Sequence, residues 1–282
     1  MIHIVTDSTA DMPVEWRSQY DINVVPIALN IGNESYQDGI DLDSDQFFRL
    51  INDLGEVPKT AAPTPFQFKE LYRRIARSGE RILSIHASDK LSRTLNACMT
   101  AARELKSEFK ITPFNSLSGS AAIGFMCREA SELSRAGASL DAIVKRLEFI
   151  RENVSVVLTL DTLDFARMSG RVGAMAAAFA SVLKLKPIIE LQEGMLVMTD
   201  KVRTRSRSID RVLEKARQRF QGRIINAAVM HVRARDVAEE LYRRVQTTFE
   251  CKELFLEQIN NAITAQLGPG AVGIVAYPVE QP

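Results

Sequence analysis

The sequence predicts an α/β protein of two domains, a mainly parallel α/β domain followed by a mixed-sheet α+β domain. Three observations carry this reading. Short apolar runs alternate with helically spaced segments up to about residue 153, the pattern of parallel strands joined by crossover helices. A hairpin signal, Glu193-Gly194 between two strand-like runs, interrupts that alternation in the second half. The length of 282 residues suits one large domain or two ordinary ones. The expected domains are 1–153 and 154–282.

The elements follow in order. Ile2 to Val5 is an apolar strand that runs into the polar loop Thr6-Asp7-Ser8-Thr9. Val24 to Ile31 reads as a second strand. Thr64-Pro65 has the form of an N-cap with proline at the first helical position. Phe68, Leu71, Tyr72 and Ile75 then recur at helical spacing. Ile82 to His86 is a strand leading into Ala87-Ser88-Asp89-Lys90-Leu91-Ser92, with a helix expected from about Arg93 to Leu105. Phe109 to Pro113 is a strand, and Ala121 to Arg135 and Leu140 to Ile150 are helices. In the second half, Val154 to Leu160 is a strand and Thr162 to Met168 is helical, with Ser169-Gly170 as the break. Val172 to Leu183 is small and apolar on nearly every face. Pro187 to Leu191 and Met195 to Thr199 form the hairpin. Ile209 to Phe220 and Val237 to Phe249 are helices; Ile224 to Val232, Lys252 to Gln258 and Ala271 to Tyr277 are strands.

Composition narrows the function classes. Apolar residues make up 46% and charged residues 25% of the chain, enough to fill a core under a solvated surface. The net charge of +1 provides no global field toward nucleic acid or membrane. Three scattered cysteines without a CxxC pair read as reduced core residues of a cytoplasmic protein. The opening MIHIVTDSTAD lacks the basic region of a signal peptide, and no run is long enough to span a bilayer, so no stable membrane insertion is expected.

Polar loops after strands are the first candidates for a site: Thr6-Asp7-Ser8-Thr9, Leu91-Ser92-Arg93-Thr94 and Asn115-Ser116. Ligands of open α/β sheets collect at the carboxyl ends of strands, where helix N-termini favour a carboxylate or phosphate. Ser92 and Ser116 also read simply as N-caps. Gly268-Pro269-Gly270-Ala271-Val272-Gly273 fits GxGxxG but leaves no room for a βαβ unit, so the dinucleotide reading fails. Gly119 to Gly124 has phosphate-loop spacing without the Lys-Ser/Thr that completes it. His3, His86 and His231 are isolated, and no metal motif or nucleophile elbow is evident. His86 and His231 read as core histidines. The stretch Lys201 to Arg223 is basic and contains Arg203, Arg205 and Arg207, but it lacks interleaved aromatics for base stacking. It reads as a solvated face or as a docking surface for an acidic or nucleotide-loaded partner.

Taken in order, these segments resemble the DegV family, the fatty-acid-binding subunits of bacterial fatty acid kinase. The resemblance covers essentially the whole chain: Asp7-Ser8-Thr9-Ala10-Asp11; Lys59-Thr60 with Pro63; Ser92-Arg93-Thr94 with Asn96-Ala97; Asn115-Ser116; Leu160-Asp161-Thr162-Leu163; Gly170-Arg171-Val172-Gly173; Lys186-Pro187-Ile188; Gly194; and Gly268-Pro269-Gly270 with Gly273. It implies two α/β domains with a long acyl chain buried between or beneath them, and no cofactor beyond that fatty acid. It implies that Thr60 and Ser92 hydrogen-bond the acyl carboxylate, with Arg93, Thr94 and Gln266 beside them. Met175, Phe179 and Ile188 would line the acyl chain, although a buried core helix would have the same composition as Val172 to Leu183. Arg171, Arg203, Arg205 and Arg207 would dock the catalytic subunit of a fatty acid kinase, which supplies the phosphoryl-transfer residues. The chain itself is then a carrier and not a catalyst, with no nucleic acid among its partners. The family's Thr-Ser-Gln reads Thr60-Ala61-Ala62 here, the glycine of Ser-Gly-Thr is Arg93, its Asp is Asn115, and a histidine near Gly-Pro-Gly is Gln266. These departures rearrange the polar contacts around the head group. The residues also admit two alternatives: a hydrolase or phosphotransferase using Asp7 or Ser92, and a nucleic-acid-binding regulator using residues 201–223.

Overall fold

The computed structural model describes residues 2–170 and 185–280. The chain divides into two units, residues 1–151 with Asn260–Ala262, and residues 152–259 with 263–282.

In the first unit, β1 (Ile2–Asp7) leads through α1 (Val14–Gln19) to β2 (Ile22–Val25). Next come β3 (Ala28–Ile31), β4 (Glu34–Gln37), α2 (Ser44–Leu54) and β5 (Lys59–Ala61). The remaining elements are α3 (Pro65–Ile75), β6 (Arg81–His86), α4 (Thr94–Glu104), β7 (Lys110–Asn115), α5 (Ala121–Arg135) and α6 (Leu140–Asn153). Strands β2-β1-β6-β7 form a sheet in that order, every pair parallel. Strands β4-β3-β5 form a separate antiparallel sheet.

Local chemistry sets several of these boundaries. Thr64 caps α3 as its sequence suggests, in a capping box with Gln67 and with Pro65 opening the helix. Asp43 and Gln46 form the same box at α2, which ends on Gly55 in the left-handed region. The apolar run Val24 to Ile31 is two strands in two sheets rather than one. Pro26 has no N–H to give a ladder, and the Ile27 N–H turns away to the Ser8 hydroxyl at 3.0 Å. Val5, Val25, Phe68, Leu71, Tyr72, Ile82 and Cys98 are among the side chains that build the core between α3, α4 and the parallel sheet.

The second unit contains β8 (Ser155–Thr159), α7 (Asp164–Ser169), β9 (Lys186–Gln192) and β10 (Met195–Val202). It continues with α8 (Arg205–Phe220), β11 (Ile225–His231), α9 (Arg235–Thr248), β12 (Cys251–Gln258), α10 (Asn261–Leu267, whose first two residues group with the first unit) and β13 (Val272–Pro278). Its strands lie in the order β10-β9-β8-β13-β11-β12. Only β11 and β12 are parallel, joined by the crossover helix α9; the other pairs are antiparallel, so the sheet is mixed. The β9–β10 hairpin turns on Glu193 and Gly194, with φ of 48° and 79°. Two successive positive φ values match the twist of a tight hairpin. Among the described residues, no helix is long and apolar enough to cross a membrane.

Candidate functional site

In the first unit the chain leaves β1 toward β2 on one side and later leaves β6 toward β7 on the other. The sheet therefore has a topological switch point between the carboxyl ends of β1 and β6, the place where open α/β sheets collect ligands. The loops that converge there are residues 8–13 after β1, 87–93 after β6 and 116–120 after β7.

The loop after β6 is a tight polar turn. The carbonyl of buried Ser88 accepts from the N–H of Leu91 and of Ser92, at 3.0 and 2.9 Å. The Ser92 hydroxyl accepts from the Thr94 N–H at 3.2 Å and lies 2.8 Å from the Thr94 hydroxyl. Ser92 is half-buried and Thr94 is buried. Ser92 is thus not the N-cap its spacing suggests, since Arg93 holds that position; it is a turn residue one position earlier, and its hydroxyl stands at the start of α4. Arg93, the residue before that helix, is exposed and makes no side-chain capping bond. Ser92, Arg93 and Thr94 therefore share one turn at the N-terminus of an eleven-residue helix.

The loop after β7 is bonded to its neighbours. The Ser116 N–H donates to the His86 carbonyl at 3.1 Å, and the Ser88 N–H donates to the Ser118 carbonyl at 2.9 Å. The Ser116 hydroxyl accepts from the Ser118 N–H at 3.0 Å, so Ser116 is a turn residue and not the N-cap its sequence suggests; Ser120 holds that position at α5. Ser120, just before α5, lies at φ 56° and ψ −141°. That backbone conformation is costly for a residue with a side chain and persists only where its surroundings hold it.

Beneath these loops is a buried polar network that sequence spacing did not expose. Nδ1 of His86 lies 2.8 Å from Oδ2 of Asp7, and Nε2 lies 2.7 Å from the Ser84 hydroxyl. The Tyr72 hydroxyl reaches Ser84 at 2.8 Å and the Cys98 sulfur at 3.2 Å. Thr9 bonds the Asp7 carboxylate through both its N–H, at 3.0 Å, and its hydroxyl. Burial disfavours the charged imidazole, but contacts with Cys98 and Asp7 outweigh it and raise the His86 pKa to about 9. Burial likewise opposes ionised Asp7, yet bonds and charge from His86 and bonds from Thr9 hold it below its ordinary value. With His86 protonated, as these contacts favour, the pair is a salt bridge and the ring donates from both nitrogens. This bears on the Asp7 enzyme alternative. The imidazole absent from the neighbouring sequence is supplied in space, but both side chains are fully buried and both ring nitrogens are engaged. The sequence signal was His86 itself, an imidazole ending an apolar run, which reads as a core histidine but does not name its partner.

The other expected site residues are distributed as follows. Thr60 is half-buried on β5, opposite fully buried Leu29 of β3. Gln266 is half-buried on α10 of the second unit. Ile188 is buried on β9 within the second unit's core, together with Val157, Val212 and Val272. Met175, Phe179 and Arg171 lie outside the described residues. The basic stretch is not uniformly free. The Arg205 guanidinium donates to the Gly270 carbonyl at 2.6 Å and faces Asp161 at 3.5 Å, so it ties α8 to the loop before β13. Arg211 pairs with Asp200 at 2.5 Å and Glu214 at 2.7 Å, and Lys215 with Glu190 at 2.5 Å. Arg203 and Arg207 are exposed.

The glycine patterns have packing explanations. A β-carbon on Gly270 would stand 2.4 Å from the Asp161 carboxylate, and one on Gly268 would stand 2.5 Å from the Phe165 ring; both glycines have positive φ. A β-carbon on Gly124 would stand 2.2 Å from the Asp11 carbonyl oxygen, so this glycine lets α5 approach the loop after β1.

The family model DegV, described as an uncharacterised protein family, matches residues 1–279. A DegV domain-containing protein of Streptomyces coelicolor is 34% identical over 276 residues, covering 97% of each chain. Protein DegV of Bacillus subtilis is 30% identical over 275 residues, covering 97% of this chain and 98% of its own. Among solved structures, a fatty-acid-binding DegV family protein from Thermus thermophilus aligns with a TM-score of 0.91 at 29% identity over 99% of both chains. The DegV structure from Bacillus subtilis, described as a fatty acid binding protein, aligns with a TM-score of 0.88 at 29% identity, covering 98% of this chain and 99% of its own.

Proposed function

The chain belongs to the DegV family, and on that premise we propose that it binds a long-chain fatty acid and presents the carboxylate to a partner kinase. The observation that carries this reading is the whole-length structural likeness to the Thermus thermophilus protein described as fatty acid binding. Local chemistry supports it. A carboxylate withdrawn from water needs hydrogen-bond donors, because its desolvation is costly. The Ser92-Arg93-Thr94 turn provides hydroxyls, an exposed cation and the N-terminus of α4 at the switch point of the sheet. Thr60, and Gln266 where the family has a histidine, complete the head-group set in this reading. The acyl chain contributes about 0.8 kcal/mol per buried methylene, and Met175, Phe179 and Ile188 are the proposed lining.

In this reading the protein is a cytoplasmic carrier, and the kinase catalytic subunit brings the nucleotide and performs phosphoryl transfer. Arg203 and Arg207, with Arg171, form the docking surface; Arg205 contributes by holding the start of α8 against Gly270. The test is denaturing extraction of purified protein followed by mass spectrometry. A stoichiometric long-chain fatty acid is the expected result, and delipidated protein should gain thermal stability when fatty acid is returned. Lipid-free protein that shows no shift with any chain of ordinary length overturns the reading.

A further inference from the structure

Two buried carboxyl groups of the first unit face a segment that is remote in sequence, and one of them, Asp11, bonds it. Oδ1 of Asp11 accepts from the Asn260 backbone N–H and from the Asn260 side-chain amide, both at 2.8 Å. Oδ2 of Asp11 faces the Ser120 hydroxyl at 2.5 Å. The carboxyl of Asp38 faces the Ser8 hydroxyl and the backbone N–H groups of Asn261 and Ala262, none of them at ordinary hydrogen-bond geometry. The Asn261 side chain donates to the Leu42 carbonyl at 3.2 Å. Asp11 and Asp38 are only 5% and 2% exposed. Residues 260–262 accordingly group with the first unit, whereas the chain on either side of them groups with the second.

We propose that Asp11 and Asp38 form a proton-operated clasp on residues 260–262, closed more tightly at pH 5 than at pH 7. A carboxylate deprived of water and faced by a second carboxylate is a poor anion, and releasing the segment lets it ionise in solvent. Burial, above all, raises the Asp11 pKa to about 7, against its bonds to Ser120 and Asn260, and the Asp38 charge adds to the rise. Burial raises the Asp38 pKa to about 6, opposed by Ser8, by the N–H groups of Ala262 and Asn261, and by the positive charge of Arg17 on α1. Both groups therefore bind a proton more tightly in the closed state than the ordinary value of 3.8 allows in the open one. Opening becomes easier as pH rises from about 4 to 7 and then levels off, because above 7 both states are ionised. The geometry accommodates the proton: on Oδ2 of Asp11 it is donated to the Ser120 oxygen, while Oδ1 keeps both bonds from Asn260.

Hydrogen exchange on the full-length protein tests this. After correction for intrinsic exchange, protection of the Asn260, Asn261 and Ala262 amides should fall about tenfold per pH unit for each carboxyl that ionises on opening between pH 5 and 7. The double variant Asp11→Asn, Asp38→Asn replaces both acids with uncharged groups of the same shape and should show flat protection over that range. Equal pH dependence in the two proteins, or none in the native one, overturns the proposal. Should the double variant fail to fold, carbon-13 titration of the native carboxyl groups decides. Midpoints near 7 for Asp11 and 6 for Asp38 support the clasp, and midpoints near 4 overturn it. This inference does not depend on the identity of the bound ligand.

Discussion

Asp7 and His86 form an ion pair at 2.8 Å across a separation of 79 residues, with neither side chain reaching solvent. The contact exists because β1 and β6 are neighbours in the parallel sheet, which brings their carboxyl ends together. It anchors the loop after β1 through Thr9 and the core through Ser84, Tyr72 and Cys98. Breaking a buried pair by removing one partner leaves the other charge uncompensated. His86→Ala should therefore lower stability by about 3–5 kcal/mol, measured as a shift in the urea unfolding midpoint at constant slope. A loss below 1 kcal/mol would mean that the pair is not charged.

The same pair makes a signed prediction in pH. The folded pKa of His86, about 9, exceeds its ordinary value of 6.5. Its stabilisation is fully present below pH 6.5 and is lost as pH rises through 9. Asp7 is shifted the other way, so its contribution is present above pH 3.8 and lost as pH falls below that value. The stability of the native protein relative to His86→Gln should thus decline between pH 6.5 and 9. Parallel curves for the two proteins would exclude an imidazolium at this site.

Two glycines of one sequence pattern should respond differently. Gly124→Ala drives a β-carbon into the Asp11 backbone oxygen, a group that cannot move aside cheaply. It should cost about 1–3 kcal/mol, as overpacking does, despite the better helix propensity of alanine. Nothing lies within 4 Å of a β-carbon on Gly119, so Gly119→Ala should remain within about 0.5 kcal/mol of the native protein. Calorimetric unfolding of the two variants compares them directly.

The lipid reading places Ser92 and Thr60 on the acyl carboxylate. Ser92→Ala with Thr60→Val should weaken fatty acid binding by about 1.5–3 kcal/mol for each charge-assisted bond lost, measured by titration of delipidated protein. Far-ultraviolet circular dichroism should be unchanged, since Thr60 and Ser92 are half-buried and outside the apolar core. Normal affinity in the double variant would place the carboxylate elsewhere.

Reversing the exposed charges, with Arg203→Glu and Arg207→Glu, should leave bound lipid and stability unchanged. On the proposed kinase presentation, phosphorylation of the bound acid should slow, with the native rate falling as salt screens the approach. A variant that loses its lipid yet still engages the kinase contradicts this assignment. Arg205→Glu is a different experiment, because Arg205 holds the Gly270 carbonyl and should destabilise the second unit when reversed.

Local chemistry made much of this protein readable from sequence. Thr64-Pro65 encodes the start of α3, Glu193-Gly194 encodes a hairpin turn, and the alternation of apolar runs encodes a parallel sheet, because caps, turns and strand periodicity depend on residues a few positions apart. The Ser92-Thr94 turn was legible for the same reason. The tertiary structure alone decided that Val24 to Ile31 serves two sheets, that His86 neutralises Asp7, that Arg205 faces inward, and that Asp11 and Asp38 close on residues 260–262. Each of these depends on which distant segments become neighbours and how completely they exclude water. A carboxylate's partner and its proton affinity are properties of that surrounding space, and no spacing along the chain specifies them.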